Sequence, residues 1–148
     1  MPQILALIEQ RRLEYQEYQP RFWRRVAKAT AADRTHLDAL LDDPSAILLV
    51  HDRDGVVDGV AIGKLEQAPP MYDPGGLTCI IDDFIVAAPE LWTTVGVELV
   101  GAVARQARTR GAALAVVVCG HLDRQKRAML ALSGFSIFSE WYAKDITP

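Results

Sequence analysis

The first third of the chain repeats its apolar residues at the three- and four-residue spacing of helices. The residues that carry this pattern are Ile4, Leu7, Ile8, Phe22, Trp23, Val26 and Ala27. Pro20 ends the first stretch or opens the next, because proline lacks the amide hydrogen that a helix interior uses. Asp33 suits the N-cap of a third short piece, since its carboxylate can accept from free N–H groups. We therefore predict helices over residues 2–42.

The pattern then changes to that of strands. Two apolar runs, Ala46 to Val50 and Val56 to Leu65, flank Asp54-Gly55, a dipeptide typical of hairpin turns. The segment 67–76 contains three prolines and two glycines and is predicted to be a loop. A further strand is predicted from Leu77 to Val86.

The second half alternates helix and strand patterns. A helix is predicted from Pro89 to Gly111, followed by a continuous apolar run from Ala112 to Cys119 that is typical of a strand buried on both faces. A second helix over residues 122–132 leads to a last strand from Phe135 to Ala143. The residues predicted to face inward are Leu91, Val95, Leu99 and Val103 on the first helix and Leu122, Met129 and Leu132 on the second.

The predicted order is helices, a β-hairpin and then a β-α-β-α-β series. This order indicates an α/β fold (α+β by some schemes) with a mixed sheet. The strand–helix–strand unit over residues 77–119 needs a crossover connection, so its two strands are expected to be parallel neighbours. A chain of 148 residues has the usual length of one domain, and we predict a single domain over residues 1–148.

Composition narrows the classes of function. Half of the residues are hydrophobic and 24% are charged, as in ordinary globular domains. The net charge of −3 argues against a broad nucleic-acid surface. The N-terminus lacks a signal-peptide pattern, and no apolar run approaches the ~20 residues that cross a bilayer. We expect a cytoplasmic protein without a nucleic-acid or membrane partner, in which Cys79 and Cys119 are reduced.

Two local motifs resemble those of a known family. The stretch IDDFIVAAPE over residues 81–90 resembles the central strand of the GNAT acetyltransferase superfamily, in which acidic residues precede the turn into the CoA-binding helix. Residues 123–135, which end in Gly134-Phe135, resemble the fourth-helix motif of that family. The resemblance covers about residues 46–146 and implies a GNAT-like mixed sheet, although the usual first strand has no evident counterpart.

The resemblance implies that acetyl-CoA, as the acyl donor, binds where this strand ends and the next helix begins. A helix start offers free N–H groups and a positive dipole end to the pyrophosphate. The glycine-rich turn of the family is degenerate here, since Thr94 replaces its first glycine and Gly96 alone remains. The residues implied to bind the donor are Phe84, Ile85 and Val86 along the pantetheine arm, Trp92, Thr93, Thr94, Val95, Gly96 and Val97 at the turn, and Asp123 and Lys126 on the fourth helix. Without the resemblance, the turn residues are ordinary features of a helix start.

The resemblance also implies a general base at Asp82 or Asp83, because an amine acceptor must lose a proton. Side chains alternate along a strand, so one of the two could serve catalysis while the other caps a loop. Both could instead accept backbone hydrogen bonds in a purely structural role. The tyrosine that acts as the acid in the family is replaced by Leu130, which leaves Tyr142, Tyr72 or a water as candidates.

These features favour transfer of an acetyl group from acetyl-CoA to a primary amine, by direct attack in a ternary complex. The acceptor is a small-molecule amine or a protein amine. The alternative is an inactive GNAT-fold module that binds acyl-CoA or a protein partner, which the degenerate turn and the missing tyrosine favour. A third interpretation, an unrelated α+β domain without a CoA site, requires central strands that do not splay apart. A homodimer is left open, with Met71 and Tyr72 of the proline-rich loop as contacts.

Two other groups of residues are given ordinary roles. His36, His51 and His121 lie far apart and have no second ligand at metal spacing, so no metal site is predicted. The aromatic residues of the N-terminal third are interleaved with arginines, which indicates a core stripe beside a solvated basic face. In the family this region forms the wall of the acceptor site, which is its alternative role.

Overall fold

One four-stranded sheet carries helices on both of its faces. The computed structural model describes all residues, 1–148. The helices are α1 (Pro2–Tyr18), α2 (Ala29–Leu41), α3 (Val95–Thr109) and α4 (Arg124–Leu132), and a short 3-10 helix spans Pro89–Thr93. The strands are β1 (Ala46–Arg53), β2 (Val56–Glu66), β3 (Leu77–Val86) and β4 (Ala112–Val117). The sheet order is β1-β2-β3-β4, with two antiparallel pairs followed by the parallel pair β3–β4.

The hairpin and the crossover form as predicted. Asp54 and Gly55 both have positive φ angles, 54° and 83°, as the two central residues of a type I′ turn require. β3 and β4 are parallel neighbours joined through α3, and the segment 67–76 contains no helix or strand. The predicted inward stripe of α3 is confirmed for Val95, Leu99 and Val103, which are all buried.

The two faces of the sheet bury separate clusters. The cluster beneath α1 and α2 consists of Leu7, Ile8, Leu37, Leu40, Val60, Ile62 and Ile85. The cluster beneath α3 and α4 contains 14 buried residues, among them Phe84, Trp92 and Met129. Gly59 brings α3 close to β2, since a Cβ at this position would lie 2.5 Å from Cγ1 of Val95. Because Gly59 pairs with Val86, this contact places the start of α3 beside the end of β3.

The N-terminal region contains two of the three predicted helical pieces: the third forms as α2, and the middle one, over residues 22–27, does not form. Residues 19–28 form turns, and Phe22 and Val26 are exposed, so the apolar pattern there does not mark a buried stripe. Asp33 lies inside α2, which begins after Lys28. Its carboxylate binds Arg12 and Arg25 instead of capping a helix, and these are long-range ion pairs that local pattern does not reveal.

The last predicted strand does not form. Residues 133–148 contain no helix or strand, and of the apolar residues there only Phe135 packs against the core. β4 is therefore an edge strand, and the prediction that it is buried on both faces is wrong: Leu114 is 48% exposed. The predicted inward positions Leu122 and Leu132 are also exposed, because α4 turns Met129 and Leu130 toward the core.

None of the helices combines the length and the apolar composition that crossing a lipid bilayer requires.

Candidate functional site

The parallel strands β3 and β4 part before β3 ends. Their pairing runs from Leu77 opposite Ala112 to Ile81 opposite Val117. One more hydrogen bond follows, from the amide of Val118 to the oxygen of Ile81 at 2.9 Å. Beyond it, β3 continues to Val86 with a partner only on the β2 side. We call the space between residues 82–86 of β3 and residues 118–120, which follow β4, the strand gap.

A β-bulge lies at the mouth of the strand gap. Phe84 pairs with Ala61 and Ile81 pairs with Gly63, so two residues, Asp82 and Asp83, stand opposite the single residue between them on β2. Such a bulge bends its strand and increases the local twist. It also explains how Ile81 and Phe84, three positions apart, both face the cluster beneath α3.

The acidic pair at the bulge is divided between two environments. Asp83 is largely buried and lies 3.3 Å from the guanidinium of Arg12, which also holds Asp33 at 2.8 Å. Burial raises the pKa of Asp83, and the charge of Arg12 opposes that rise. Asp82 is exposed to solvent and forms no ion pair. A free carboxylate and a paired one therefore stand side by side.

The turn after β3 leads through the 3-10 helix to α3. Thr93 and Thr94 are exposed, and their hydroxyls donate to the oxygens of Glu90 and Leu91 at 3.1 and 3.5 Å. At the start of α3, Val95 and Gly96 are buried, while Val97 is exposed. The first N–H groups of a helix have no intrahelical acceptor, so this turn presents donors beside exposed threonines.

Trp92 is a core residue. It is 4% exposed and packs edge-on against Phe84, with ring centroids 5.0 Å apart. Its ring also lies against Gly96, where a Cβ would come within 2.7 Å of Trp92 Cε3. The surviving glycine of the degenerate turn therefore makes room for Trp92, a structural role that the resemblance did not indicate.

Lys126 of α4 bridges the strand gap. Its Nζ donates to the oxygen of Phe84 at 3.2 Å and to the oxygen of Val118 at 3.0 Å, one from each side. The ammonium also lies 5.3 and 5.7 Å from the ring centroids of Phe84 and Trp92. The side chain is buried and has no carboxylate partner, and burial lowers its pKa to about 8.

Phe84 and Val86 turn main-chain groups into the strand gap. The bond from Lys126 shows that the oxygen of Phe84 points there. Main-chain groups alternate in direction along a strand, so those of Val86 point the same way and those of Ile85 point toward β2. The side chain of Ile85 is buried under α1 and α2.

Two residues of α1 that the sequence analysis missed contact the far border of the strand gap, at Gly120 and Asp123. Arg11 forms an ion pair with Asp123, which is 2% exposed, and stacks over Tyr15 at 4.6 Å. The hydroxyl of Tyr15 accepts from the amide of Gly120 at 2.9 Å. The spacing of these residues could have revealed them, because Arg11 and Tyr15 follow Leu7 at four-residue steps and therefore lie on the same inward face of α1.

The remaining candidates lie apart from this group. Tyr142 is 90% exposed in the C-terminal segment and donates only to Glu140, so the structure does not bring it to the strand gap. Tyr72 is exposed in the loop before β3. His51 pairs with Asp58 and lies 3.5 Å from Glu98. Among the His, Cys, Asp and Glu side chains, no group of three could hold a metal ion.

Comparison with known proteins identifies the fold. No protein-family model matches the chain, and no curated protein matches its sequence. A mutant of a Bacillus halodurans protein aligns over 99% of this chain and 94% of its own, with a TM-score of 0.86 at 13% identity. A predicted acetyltransferase from Clostridium acetobutylicum with acetyl-CoA aligns over 97% of this chain and 88% of its own, with a TM-score of 0.71 at 14% identity.

An aminoglycoside 6'-N-acetyltransferase from Acinetobacter haemolyticus also aligns, over 82% of this chain and 86% of its own, with a TM-score of 0.65 at 13% identity. The chain shares the fold of these proteins. The predicted α/β class with a mixed sheet is thereby confirmed, apart from its last strand.

Proposed function

We propose that this chain, which has the fold of the GNAT N-acetyltransferases, transfers an acetyl group from acetyl-CoA to a primary amine. The observation that carries the proposal is the parting of β3 and β4 after the Ile81–Val117 pair, beside a bulge that holds two carboxylates. A strand edge opened in this way can pair with an extended ligand as it would with another strand. The pantetheine arm of acetyl-CoA is such a ligand.

The main chain of the site fits the donor. Val86 and Phe84 would bond to the amides of the pantetheine arm along the strand gap. The N–H groups of Val95, Gly96 and Val97 at the start of α3 would hold the pyrophosphate beside the hydroxyls of Thr93 and Thr94, because a helix start favours anions. The exposure of Thr93, Thr94 and Val97 leaves this turn open to solvent and hence to a ligand.

The side chains of Lys126 and Trp92 leave main-chain groups of β3 free to bind a ligand in the strand gap. The bond from Lys126 uses one of the two lone pairs on the oxygen of Phe84, so this oxygen can accept a second donor. Trp92 is packed inside the core and does not cover the turn. The donor would therefore lie over Lys126, with the thioester near its ammonium.

Two groups on the chain would move the protons that the reaction requires. Asp82, free and exposed at the bulge, would take the proton of the acceptor ammonium as the general base. Asp83, held by Arg12, would help to position the bulge. Lys126 would protonate the leaving thiolate, since its pKa of about 8 lies close to the ~8.5 of a thiol. Direct attack is proposed because no nucleophile in the strand gap is placed to take the acetyl group.

The acceptor is proposed to be a cationic amine. Exposed Asp82 and Glu90 lie on either side of the end of β3, and their charges would attract an ammonium group. Among the solved structures with this fold are acetyltransferases of aminoglycosides and of glucosamine 6-phosphate. Both small-molecule and protein amines meet the charge requirement.

Binding and turnover test the proposal in two steps. Acetyl-CoA at about 100 times its dissociation constant adds ~2.7 kcal/mol, which raises the melting temperature by about 5–10 °C for a chain of this size. Release of free CoA in the presence of polyamines, aminoglycosides and lysine peptides then identifies the acceptor class. Absence of a thermal shift at millimolar acetyl-CoA would contradict the proposal.

A second candidate function is a module that binds acyl-CoA without turnover. The position of the acid in the family favours it, because Leu130 stands there in this chain and Tyr142 lies outside the strand gap. This candidate predicts a thermal shift with acetyl-CoA, no release of CoA with any amine, and no change in either on Asp82→Asn substitution.

A further inference from the structure

We propose that two copies of the chain associate about a two-fold axis through the outer edges of their β1 strands, so that their two sheets become one. In this arrangement Leu48 of each copy lies opposite the partner's Val50, and the axis passes beside Leu49. The inference is independent of the proposed acetyl transfer, because it rests on a surface outside the strand gap.

Every second residue of β1 turns its main-chain groups away from the sheet. Ser45, just before the strand, pairs inward, since its oxygen accepts from the amide of Leu65 on β2 at 2.9 Å. Inward and outward positions alternate along an antiparallel strand, so the N–H and C=O groups of Ala46, Leu48 and Val50 point outward. Those of Leu48 and Val50 have no partner in the chain, because β1 has a neighbouring strand on one side only.

The middle of this edge lacks the features that keep edge strands from pairing. The five residues Ala46–Val50, AILLV, contain no charge and no proline. Exposed edges are ordinarily blunted by charges, prolines or bulges. Here such features lie only at the two ends: Arg110 bonds to the oxygen of Ala46 at 2.9 Å, and a β-bulge begins at His51. The open part of the edge is therefore confined to Leu48–Val50.

A groove of about 570 Å³ runs along this edge, between β1 and α3. Leu49 and Val50 line it from the strand, and Glu98, Ala102 and Arg105 line it from the helix. Val50 is 43% exposed in spite of its apolar side chain. Covering these apolar groups removes them from water and so favours association.

The helix beside the groove runs antiparallel to β1. Glu98 in the first turn of α3 lies 3.5 Å from His51, in the second half of β1. Arg110, which follows the last turn of α3, bonds to Ala46 at the start of β1. A two-fold axis that reverses β1 in the partner therefore reverses α3 as well.

The charges that flank the groove complement themselves under this axis. Glu98 and Arg105 lie about 10 Å apart along α3, at 1.5 Å per residue, and Ala102 between them lines the groove together with Leu49. An axis at Leu49 therefore brings Glu98 of each copy toward the partner's Arg105. Glu98 is 69% exposed, and Arg105 is exposed and forms no ion pair in its own chain. Two pairs of opposite charge thus favour this register.

The main chain fits the same axis. Leu48 and the partner's Val50 form a hydrogen-bonded pair that exchanges two N–H···O bonds, and symmetry repeats this pair on the other side of the axis. Leu49 meets the partner's Leu49 in the intervening non-hydrogen-bonded position, where side chains approach closely. Each copy uses its only β1 edge, so the assembly closes at two copies.

Charge reversal in the full-length chain tests the interface. Sedimentation equilibrium at low salt should show that the wild type associates in pairs, and Glu98→Arg and Arg105→Glu should each halve the measured mass, since each sets like charges against one another. Arg108→Glu is the matched control, because it makes the same charge change at an exposed position of α3 outside the groove, and it should keep the wild-type mass.

Mixing the two reversed variants separates loss of the interface from loss of the fold. In an equimolar mixture of Glu98→Arg and Arg105→Glu, each copy meets the opposite charges of the other, so the paired mass should return. A wild type that stays single at every concentration would overturn the proposal. Association that neither reversal reduces, or a mixture of folded variants that stays unpaired, would overturn it as well.

Residue-resolved hydrogen exchange needs no variant. The amides of Ile47 and Leu49 bond to β2 and should be protected at every concentration. Those of Leu48 and Val50 should be protected only while the copies are paired, and should lose protection on dilution. Protection of Leu48 and Val50 at every dilution would show that the chain covers its own edge, and exchange without protection at every concentration would show that nothing covers it. Either result would overturn the proposal.

Discussion

The ammonium group of Lys126 lies 3.2 Å from the main-chain oxygen of Phe84, inside the strand gap and without a carboxylate to pair with it. Carbonyl oxygens and aromatic faces compensate the buried charge only in part, and for this reason its pKa is lowered. The same side chain thus joins α4 to β3 and places a titratable group in the strand gap.

Stability should depend on the titration of Lys126 at alkaline pH. Burial lowers its pKa from 10.5 to about 8 in the folded chain, so between these values the unfolded chain binds more protons. The free energy of unfolding therefore rises with pH through this window, by up to about 3 kcal/mol from this group. Cys79 and Cys119, whose pKa values are raised by burial, act in the opposite direction over this range, so the test is the difference in free energy of unfolding between the wild type and Lys126→Met, which should grow from pH 7 to pH 10 in urea denaturation. Lys28→Met, at an exposed lysine, should give the wild-type profile; an equal pH profile in Lys126→Met and the wild type would refute the assignment.

The two aspartates of the bulge should respond differently to amidation. Asp82→Asn should lower turnover by about 10²–10⁴-fold and keep the thermal shift with acetyl-CoA, because it removes only the proposed base. Asp83→Asn should weaken folding, since Arg12 loses one of its two carboxylates, and should leave most of the turnover. Steady-state kinetics measure the loss of turnover in each variant, and melting temperatures of the same preparations measure the loss of stability. Loss of turnover in Asp83→Asn alone would reverse the two roles.

Gly96→Ala should destabilise the fold by about 1–3 kcal/mol, because the added Cβ would lie 2.7 Å from the ring of Trp92. Gly101→Ala is the matched control in the same helix. Its Cβ would meet only the flexible end of Arg105 at 3.2 Å, so the change should stabilise by about 0.5–1 kcal/mol. Urea denaturation measures the free energy of unfolding of both variants. Combining Gly96→Ala with Trp92→Leu should restore part of the stability lost in Gly96→Ala. Equal effects at the two glycines would contradict the contact with Trp92.

Arg11 and Asp123 should be coupled in stability. Both side chains are largely buried, so Asp123→Ala removes one of the two carboxylates that pair with Arg11 and leaves Glu14 as its partner; the change should cost less than the about 3–5 kcal/mol of a buried charge without any partner. The double variant Arg11→Met/Asp123→Ala should cost less than the sum of the single changes, because the interaction between the two side chains is then lost only once. A double-mutant cycle from denaturation midpoints measures this coupling. Arg34 and Asp38, an exposed pair on α2, provide the control and should give additive effects.

The sequence pattern predicted the structure correctly wherever a few neighbouring residues determine it. The Asp54-Gly55 turn, the stripe of Val95, Leu99 and Val103, and the parallel pair β3–β4 follow from spacing and connection rules alone. The error at Asp33, which was predicted as an N-cap, has a different origin. Its carboxylate forms ion pairs with Arg12 and Arg25, and these partners are set by the packing of α1 on α2.

The end of β3 and the start of α3 were predicted, but the strand gap between β3 and β4 and its side chains were not. The resemblance indicated residues 82–97 correctly as the region where β3 meets α3. It could not indicate that Arg11 pairs with Asp123 or that Lys126 reaches the oxygen of Phe84, because these contacts join elements distant in sequence. The roles given to Asp82, Asp83 and the turn residues stay predictions. The candidate acid Tyr142 lies outside the group, since the strand expected to carry it does not pair within the chain.

Because Asp82 and Asp83 stand opposite a single residue of β2, one of the two is an insertion in β3 that the core does not need. If either were deleted, Ile81, one aspartate and Phe84 would follow in simple alternation, and Phe84 would still face α3. The shortened strand would run straight and approach β4 beyond Val117, where the ammonium of Lys126 now bridges Phe84 and Val118. Such a deletion should give a chain that folds well and has lost the opening between its central strands. Folding and the proposed chemistry would thus be separable by a single codon.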